Sequence, residues 1–149
     1  MRVVLQRVLK ANVSVNNNIV GQINKGIVIF VGFISSDNDK VIEYIIDKVI
    51  NLRIFEDEND KMNLSLIDVK GELLIIPNFT LYGDARKGRR PSYSNAASPK
   101  DAELIYNNFI EKAKKLDLNV QTGIFQADMK VEIVNDGPIN ILIDSDKNF

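Results

Sequence analysis

Histidine and cysteine are both absent from this 149-residue chain, and each absence excludes chemistry. Without histidine, the commonest general base and the commonest zinc ligand are gone. Without cysteine there is no disulfide and no thiolate metal site, a pattern that fits a reducing compartment. If the chain is an enzyme, its reaction must rest on hydroxyls, carboxylates, backbone dipoles or the substrate itself. No apolar run approaches the length of a membrane span. The N-terminal segment MRVVLQRVLK is too short in its apolar run for a signal peptide and carries Arg2, Arg7 and Lys10, so the expected location is the cytoplasm. An excess of one charge is lacking too: 19 basic and 20 acidic residues leave a net charge of −1. Any contact with nucleic acid must therefore come from a local patch.

What is present reads as an ordinary globular chain, 45% apolar and 26% charged. Residues 1–149 are expected to form one domain, and a chain of this size buries roughly 68–70% of its unfolded surface. There is no linker, repeat or low-complexity tract.

Arg2 to Leu9 reads as a strand, and Ala11, Val13 and Val15 alternate with polar residues as a half-buried strand does. Asn16-Asn17-Asn18 is a turn, and Ile19 to Ile23 returns as the second arm of a hairpin. The continuous β-branched run Gly26 to Phe33 predicts a strand buried on both faces. Ser36-Asp37 offers a helix N-cap before a wide apolar stripe made of Val41, Ile42, Ile45, Ile46, Val49 and Ile50. A strand follows at Glu72 to Ile76. Ser98-Pro99-Lys100-Asp101 is a second helix start, with a hydroxyl cap, proline at the first helical position and a carboxylate three residues on. Ala102, Ile105, Phe109, Ala113 and Leu116 mark its core face. Asn119 to Thr122 is a strand. Alternation at Met129, Val131 and Ile133, and again at Ile139, Ile141 and Ile143, predicts two more, broken at Asp136-Gly137-Pro138. The order is β-β-β-α-β-α-β-β-β. Two helices cannot cover both faces of so many strands, so either the sheet folds onto itself or a partner subunit covers the remainder.

The densest chemical signal is PNFTLYGDARKGRRPSYS, Pro77 to Ser94. An apolar strand runs into Asn78, Phe79 and Thr80, and a loop then gathers Arg86, Lys87, Arg89 and Arg90. Backbone N–H groups at a strand end can stabilise an oxyanion, although a threonine after a buried strand is by itself an ordinary structural residue. The basic loop is either a solvated surface or a phosphate contact. Asp136-Gly137-Pro138 reads as a tight turn, Arg7 as a strand-edge surface charge, and Phe125 and Met129 as core residues. The acidic stretch Glu56 to Asp60 lacks calcium-loop spacing, with no glycine at the sixth position and no closing glutamate, and reads as a solvated loop. No residue calls for a cofactor or a metal.

Taken with NDGP at Asn135 to Pro138, the segment Pro77 to Ser94 resembles the bacterial D-aminoacyl-tRNA deacylase family, also called D-tyrosyl-tRNA deacylase. The resemblance extends over nearly the whole chain through LQRV (Leu5 to Val8), NLRIFEDENDKMNLS (Asn51 to Ser65), ASPKDAELIYNNF (Ala97 to Phe109) and TGIFQADM (Thr122 to Met129). It implies a three-layer α/β/β domain, with mixed sheets folded into two β layers and two main helices, working as a homodimer. It also implies hydrolysis of the ester joining a D-amino acid, or glycine, to the acceptor end of tRNA. In that reading Asn78, Phe79 and Thr80 line the aminoacyl pocket. Thr80 is either a nucleophile or a positioning group beside a ribose 2′-OH that does the activation; a chain without histidine favours the second. Gly137 and Pro138, joined by a cis bond, reach into the partner's pocket, capture the α-amine and leave no room for an L side chain, which is steric rejection. Arg7 holds this loop, Phe125 and Met129 surround the terminal adenosine, and Arg86, Lys87, Arg89 and Arg90 meet acceptor-stem phosphates.

The chain departs from the family pattern in two places. Pro77-Asn78 stand where Ser-Gln is usual, so the backbone donor at position 77 is lost while that of Asn78 is expected to serve. Ile139-Asn140 replace Val-Thr. These changes keep open a variant with shifted substrate preference, beside the different possibility of a non-catalytic tRNA-binding module.

Overall fold

Val3, Leu5, Val8, Ala11 and Val13 are all buried, and the two N-terminal strand segments fuse into one 14-residue strand, β1 (Arg2–Val15). In the computed structural model, which describes residues 1–149, this strand organises the sheet. Along one edge it carries β8 (Lys130–Asp144). Along the other it carries β3 (Gly26–Gly32) over Arg2–Val8 and β2 (Asn18–Ile23) over Ala11–Val15, all antiparallel. β6 (Glu72–Pro77) joins β3 in parallel, and β7 (Val120–Thr122) joins β6 in parallel. Parallel neighbours need long crossovers. The two helices, α1 (Asp39–Asn51) and α2 (Pro99–Ala113), provide them.

Successive residues of a strand point to opposite faces, and here both faces of β3 and β6 are covered. Leu5, Ile27, Ile29, Leu73 and Ile75 meet Ile42, Ile45, Val49 and Phe109 of the helices in a cluster of 21 buried residues. Val8, Ala11, Val13, Ile23, Val28, Leu74 and Ile76 form a second cluster of 7 on the other face, covered by Met129, Val131 and Ile133. Burying each large aliphatic side chain contributes about 1.5–3 kcal/mol, so the helix-facing core carries the larger share of stability. The sheet curls until β2 crosses β7: a Cβ on Gly21 would stand 2.9 Å from the Thr122 carbonyl oxygen, a space that only glycine leaves free. The result is a mixed α/β fold whose sheet is strongly curved.

Two expectations need correction, at the α1 cap and at Asp136-Gly137-Pro138. The cap of α1 is Asn38, whose Oδ1 accepts from the N–H groups of Lys40 (3.0 Å) and Val41 (3.3 Å). Asp37 is instead buried, accepting from the Met1 α-ammonium at 2.8 Å and the Ile34 N–H at 2.9 Å. The acidic stretch is solvated, as expected, and forms the turn of a small hairpin, β4 (Phe55–Glu56) with β5 (Met62–Leu64). The Asp57 carboxylate organises that turn by accepting from the N–H groups of Asn59 and Lys61. Finally, Asp136-Gly137-Pro138 does not separate two strands, since β8 runs through it as one element. At α2 the expected cap holds: Ser98 accepts from the Asp101 N–H at 3.2 Å and Pro99 opens the helix. No helix is long and apolar enough to cross a membrane.

Candidate active site

A cleft of about 690 Å³ opens where β6 ends, a size suited to a small-molecule ligand. Its walls are mainly apolar. Phe30, Phe33, Ile76 and Pro77 come from the strand ends, Ala97, Pro99 and Ala102 from the start of α2, and Phe125 to Met129 from the loop after β7. Asn78, Phe79, Tyr93, Ala96 and Val131 complete it. Of the residues singled out from sequence, Asn78, Phe79, Phe125 and Met129 meet in this cleft, whereas Thr80, Arg7, Gly137, Pro138 and the basic loop do not line it. Phe125 is held from behind by Tyr106, with ring centroids 5.8 Å apart in a stacked arrangement. The Tyr106 hydroxyl donates to the Gly123 carbonyl at 3.1 Å, and burial pushes its pKa up to about 12. It is a fixed neutral donor, not a base.

A short 3-10 helix, Phe79–Tyr82, starts at the end of β6. Asn78 caps it, accepting from the Thr80 N–H at 3.2 Å, and the Thr80 hydroxyl donates to the same Asn78 Oδ1. An amide oxygen is an acceptor but not a proton sink at neutral pH, so the partner of Thr80 does not make it a nucleophile. The Asn78 N–H donates to the Val31 carbonyl at 2.8 Å. This corrects the expectation that it serves the substrate: the sheet already uses it. The Phe79 N–H sits at the first position of the 3-10 helix and receives no help from the Asn78 cap. Such first-turn donors seek an outside acceptor. The only carboxylate in the cleft wall is Asp128, 92% exposed and 3.4 Å from Lys130.

Arg7 is buried, not a surface charge. Its Nη1 donates to the Ile54 carbonyl (2.6 Å) and to Glu56 (2.7 Å), and its Nε stands 3.0 Å from the Asp136 carboxylate. That last contact is an ion pair without hydrogen-bond alignment, since the Nε–H finds no acceptor in line. The hydrogen bond from Arg7 holds the Glu56 carboxyl below the usual range. Across from Arg7, the pairing of β1 with β8 jumps from Gln6–Asn140 to Val8–Asn135, so Asp136 to Ile139 bulge out of the ladder. Proline belongs in such a place because it has no N–H to give the ladder. Gly137 has φ +116°, a region that glycine tolerates, and the Gly137–Pro138 bond is cis. Asn135 staples the base of the bulge, donating to the carbonyls of Arg7 (2.8 Å) and Ile139 (3.1 Å).

The basic loop closes through paired hydrogen bonds between Asp84 and Ser92, 2.7 and 2.9 Å. Asp84 also takes Arg86 in a two-pronged contact, Nε at 2.9 Å and Nη2 at 2.7 Å. Those hydrogen bonds hold the Asp84 carboxyl far below its ordinary value and raise that of Arg86. Lys87, Arg89 and Arg90 form no ion pair within the chain. The loop thus offers three free cations rather than four. Sequence reasoning missed Glu56, Asn135 and Asp136 around Arg7, and Tyr93 at the cleft. Only the need of a buried guanidinium for a counter-charge points to the first group. No cluster of three or more acidic side chains is placed to hold a metal ion.

The matching family model and the curated relatives name one family. The family model described as D-Tyr-tRNA(Tyr) deacylase matches residues 4–144. A D-aminoacyl-tRNA deacylase of Clostridioides difficile (strain 630) is 56% identical over 149 residues, covering 100% of both chains. One from Thermosipho melanesiensis is 52% identical over 150 residues, again covering 100% of each. Among solved structures, a chain described as c-Myc DNA Unwinding Element Binding Protein superposes with a TM-score of 0.91 at 36% identity, covering 97% of this chain and 98% of that one. A probable eukaryotic D-amino acid tRNA deacylase shares the fold, with a TM-score of 0.79 at 19% identity over 95% and 97%. The chain belongs to the D-Tyr-tRNA(Tyr) deacylase family.

Proposed function

We propose that this family member is a hydrolase that cleaves the ester of D-aminoacyl-tRNA, and of glycyl-tRNA, releasing the amino acid and free tRNA. Residues 1–149 act as one catalytic domain of three layers, α/β/β, paired in a homodimer. The compartment is that of its tRNA substrate, the cytoplasm. The observation that carries the mechanism is a mainly apolar cleft with Asn78 and Phe79 in its wall, the Asn78 cap spent on Thr80, and no base beside Thr80. In this reading the terminal adenosine lies against Phe125 and Met129, and the ester carbonyl points at the Phe79 N–H, which stabilises the developing oxyanion. The ribose 2′-OH of the substrate orients and activates the attacking water. Thr80 and Asn78 hold the 3-10 helix in place. Water adds to the carbonyl, the ester C–O bond breaks, and the proton passes to the 3′ oxygen of the tRNA.

Gly137 and Pro138 lie outside the cleft of their own chain, which supports a role in the partner's. Their carbonyls capture the α-amine, and the pinned bulge excludes an L side chain. Arg7 sets the bulge from behind. Lys87, Arg89 and Arg90 bind acceptor phosphates, with Arg86 bracing the loop.

The test pairs a tRNA ending in 2′-deoxyadenosine, charged with D-tyrosine on its 3′-OH, with the Thr80→Val variant. The deoxy substrate is expected to lose at least 100-fold in rate, on the scale of a removed catalytic group, whereas Thr80→Val loses about 10-fold or less. Normal cleavage of the deoxy substrate, with an acyl group trapped on Thr80, would overturn the mechanism.

A further inference from the structure

Tyr93 has no part in the chemistry above, yet its position is closely set. Its ring meets Phe79 edge to face, centroids 5.1 Å apart at 72°. The contact leaves 40% of Tyr93 and 58% of Phe79 open to solvent. The Tyr93 ring also lies against Gly83, where a Cβ would stand 3.0 Å from both its Cε1 atom and the Thr80 carbonyl oxygen. Gly83 has φ −64°, so its own dihedrals do not ask for glycine; the close approach of the ring and of the Thr80 carbonyl does. The Asp84–Ser92 pair closes the basic loop immediately beside these two residues. The aromatic pair therefore belongs to the cleft wall and joins it to the base of the loop that carries the unpaired cations.

A single-stranded RNA end makes demands of the same kinds: a pocket for its last nucleoside, an aromatic face for the next base, and cations for the phosphates beyond. We propose that Tyr93, braced by Phe79 and given its space by Gly83, is the stacking platform for the penultimate nucleobase of the substrate's 3′ end. The inference rests on the deacylase reading and adds to it a second nucleotide subsite. Stacking is tolerant of base identity because every base presents a π-face, which suits an enzyme that must accept many tRNAs.

The test compares two substrates, the D-tyrosyl ester of adenosine alone and that of a cytidylyl-cytidylyl-adenosine trinucleotide. The wild type is expected to favour the trinucleotide through KM. In Tyr93→Leu that advantage should shrink by about 5- to 150-fold, the range for loss of one base–aromatic stack. Tyr93→Phe should keep it, and Gly83→Ala, which pushes the ring aside, should lose most of it. An unaltered trinucleotide advantage in Tyr93→Leu overturns the proposal. So does an equal loss on both esters, which would place Tyr93 in the terminal pocket. If the wild type cleaves neither ester, the deacylase reading itself falls, and the subsite with it.

Discussion

The partners of individual charges decide what each can do. Arg86 and Arg89 look equivalent in sequence, yet one is held by Asp84 and the other is free. Reversing charge at Arg89 and Arg90 together should weaken tRNA binding and flatten its salt dependence, by roughly one unit of slope for each phosphate no longer engaged. Arg86→Gln should leave that slope unchanged, and binding measured across a salt series separates the two cases. Arg7 gives the complementary lesson. Truncation to alanine should cost on the order of 3 kcal/mol in a denaturant melt, at the lower end for a buried charge pair because Glu56 and Asp136 keep access to water. Burial of Arg7 was not legible from its neighbours, because its counter-charges come from β4 and β8, far along the chain. Asn78, Phe79 and Phe125 of the cleft were legible as site residues only through a family pattern, since no spacing rule marks them as a site.

At the scale of elements, periodicity located both helices and the main strands, while caps and bulges escaped it. Three candidate caps crowd the start of α1, and only the backbone geometry selects Asn38 over Ser36 and Asp37. Asn38→Ala should therefore lower stability by about 1 kcal/mol, while Ser36→Ala should leave the melting temperature where it is. The break read at Asp136-Gly137-Pro138 was a fair inference from turn chemistry, but β1 continues opposite it and keeps both halves of β8 in one ladder. The same long partner explains why the two N-terminal segments are one strand. Removing the staple with Asn135→Ala should loosen the bulge while sparing the ladder on either side. The expected result is a lower ratio of D- to L-aminoacyl ester cleavage, read by parallel rate measurements, with little change in secondary structure.

The molecule as a whole is set by what it lacks. With no histidine or cysteine, no side chain of ordinary pKa changes charge between pH 5 and 8. The carboxyls that depart clearly from their usual range do so downward: Glu56 through Arg7, Asp57 through the N–H groups of Asn59 and Lys61, Asp68 through Ser65, Asp84 through Arg86, and Asp144, where burial is outweighed by hydrogen bonds from Asn148, the Asp146 N–H and Arg2. A carboxyl lowered in the folded state stabilises above its unfolded pKa and loses that contribution as pH falls through the folded one. Stability should therefore be level from pH 8 down to the ordinary carboxylate range near 4, and fall below it; thermal melts across pH check this. The curvature of the sheet was only half legible, as too many strands for two helices to cover. The tight crossing at Gly21 depends on contacts between segments distant in sequence. The proposal draws on all three scales: a cleft with no base beside Thr80, completed by a pinned Gly-Pro bulge, is proposed to remove amino acids from tRNA by handedness. Matched D-tyrosyl-tRNA and L-tyrosyl-tRNA, incubated with the purified protein and followed for ester loss, test it most directly. Rapid loss of the D form with the L form spared is the result expected. Equal loss of both, or loss of neither by a folded dimer, would contradict it.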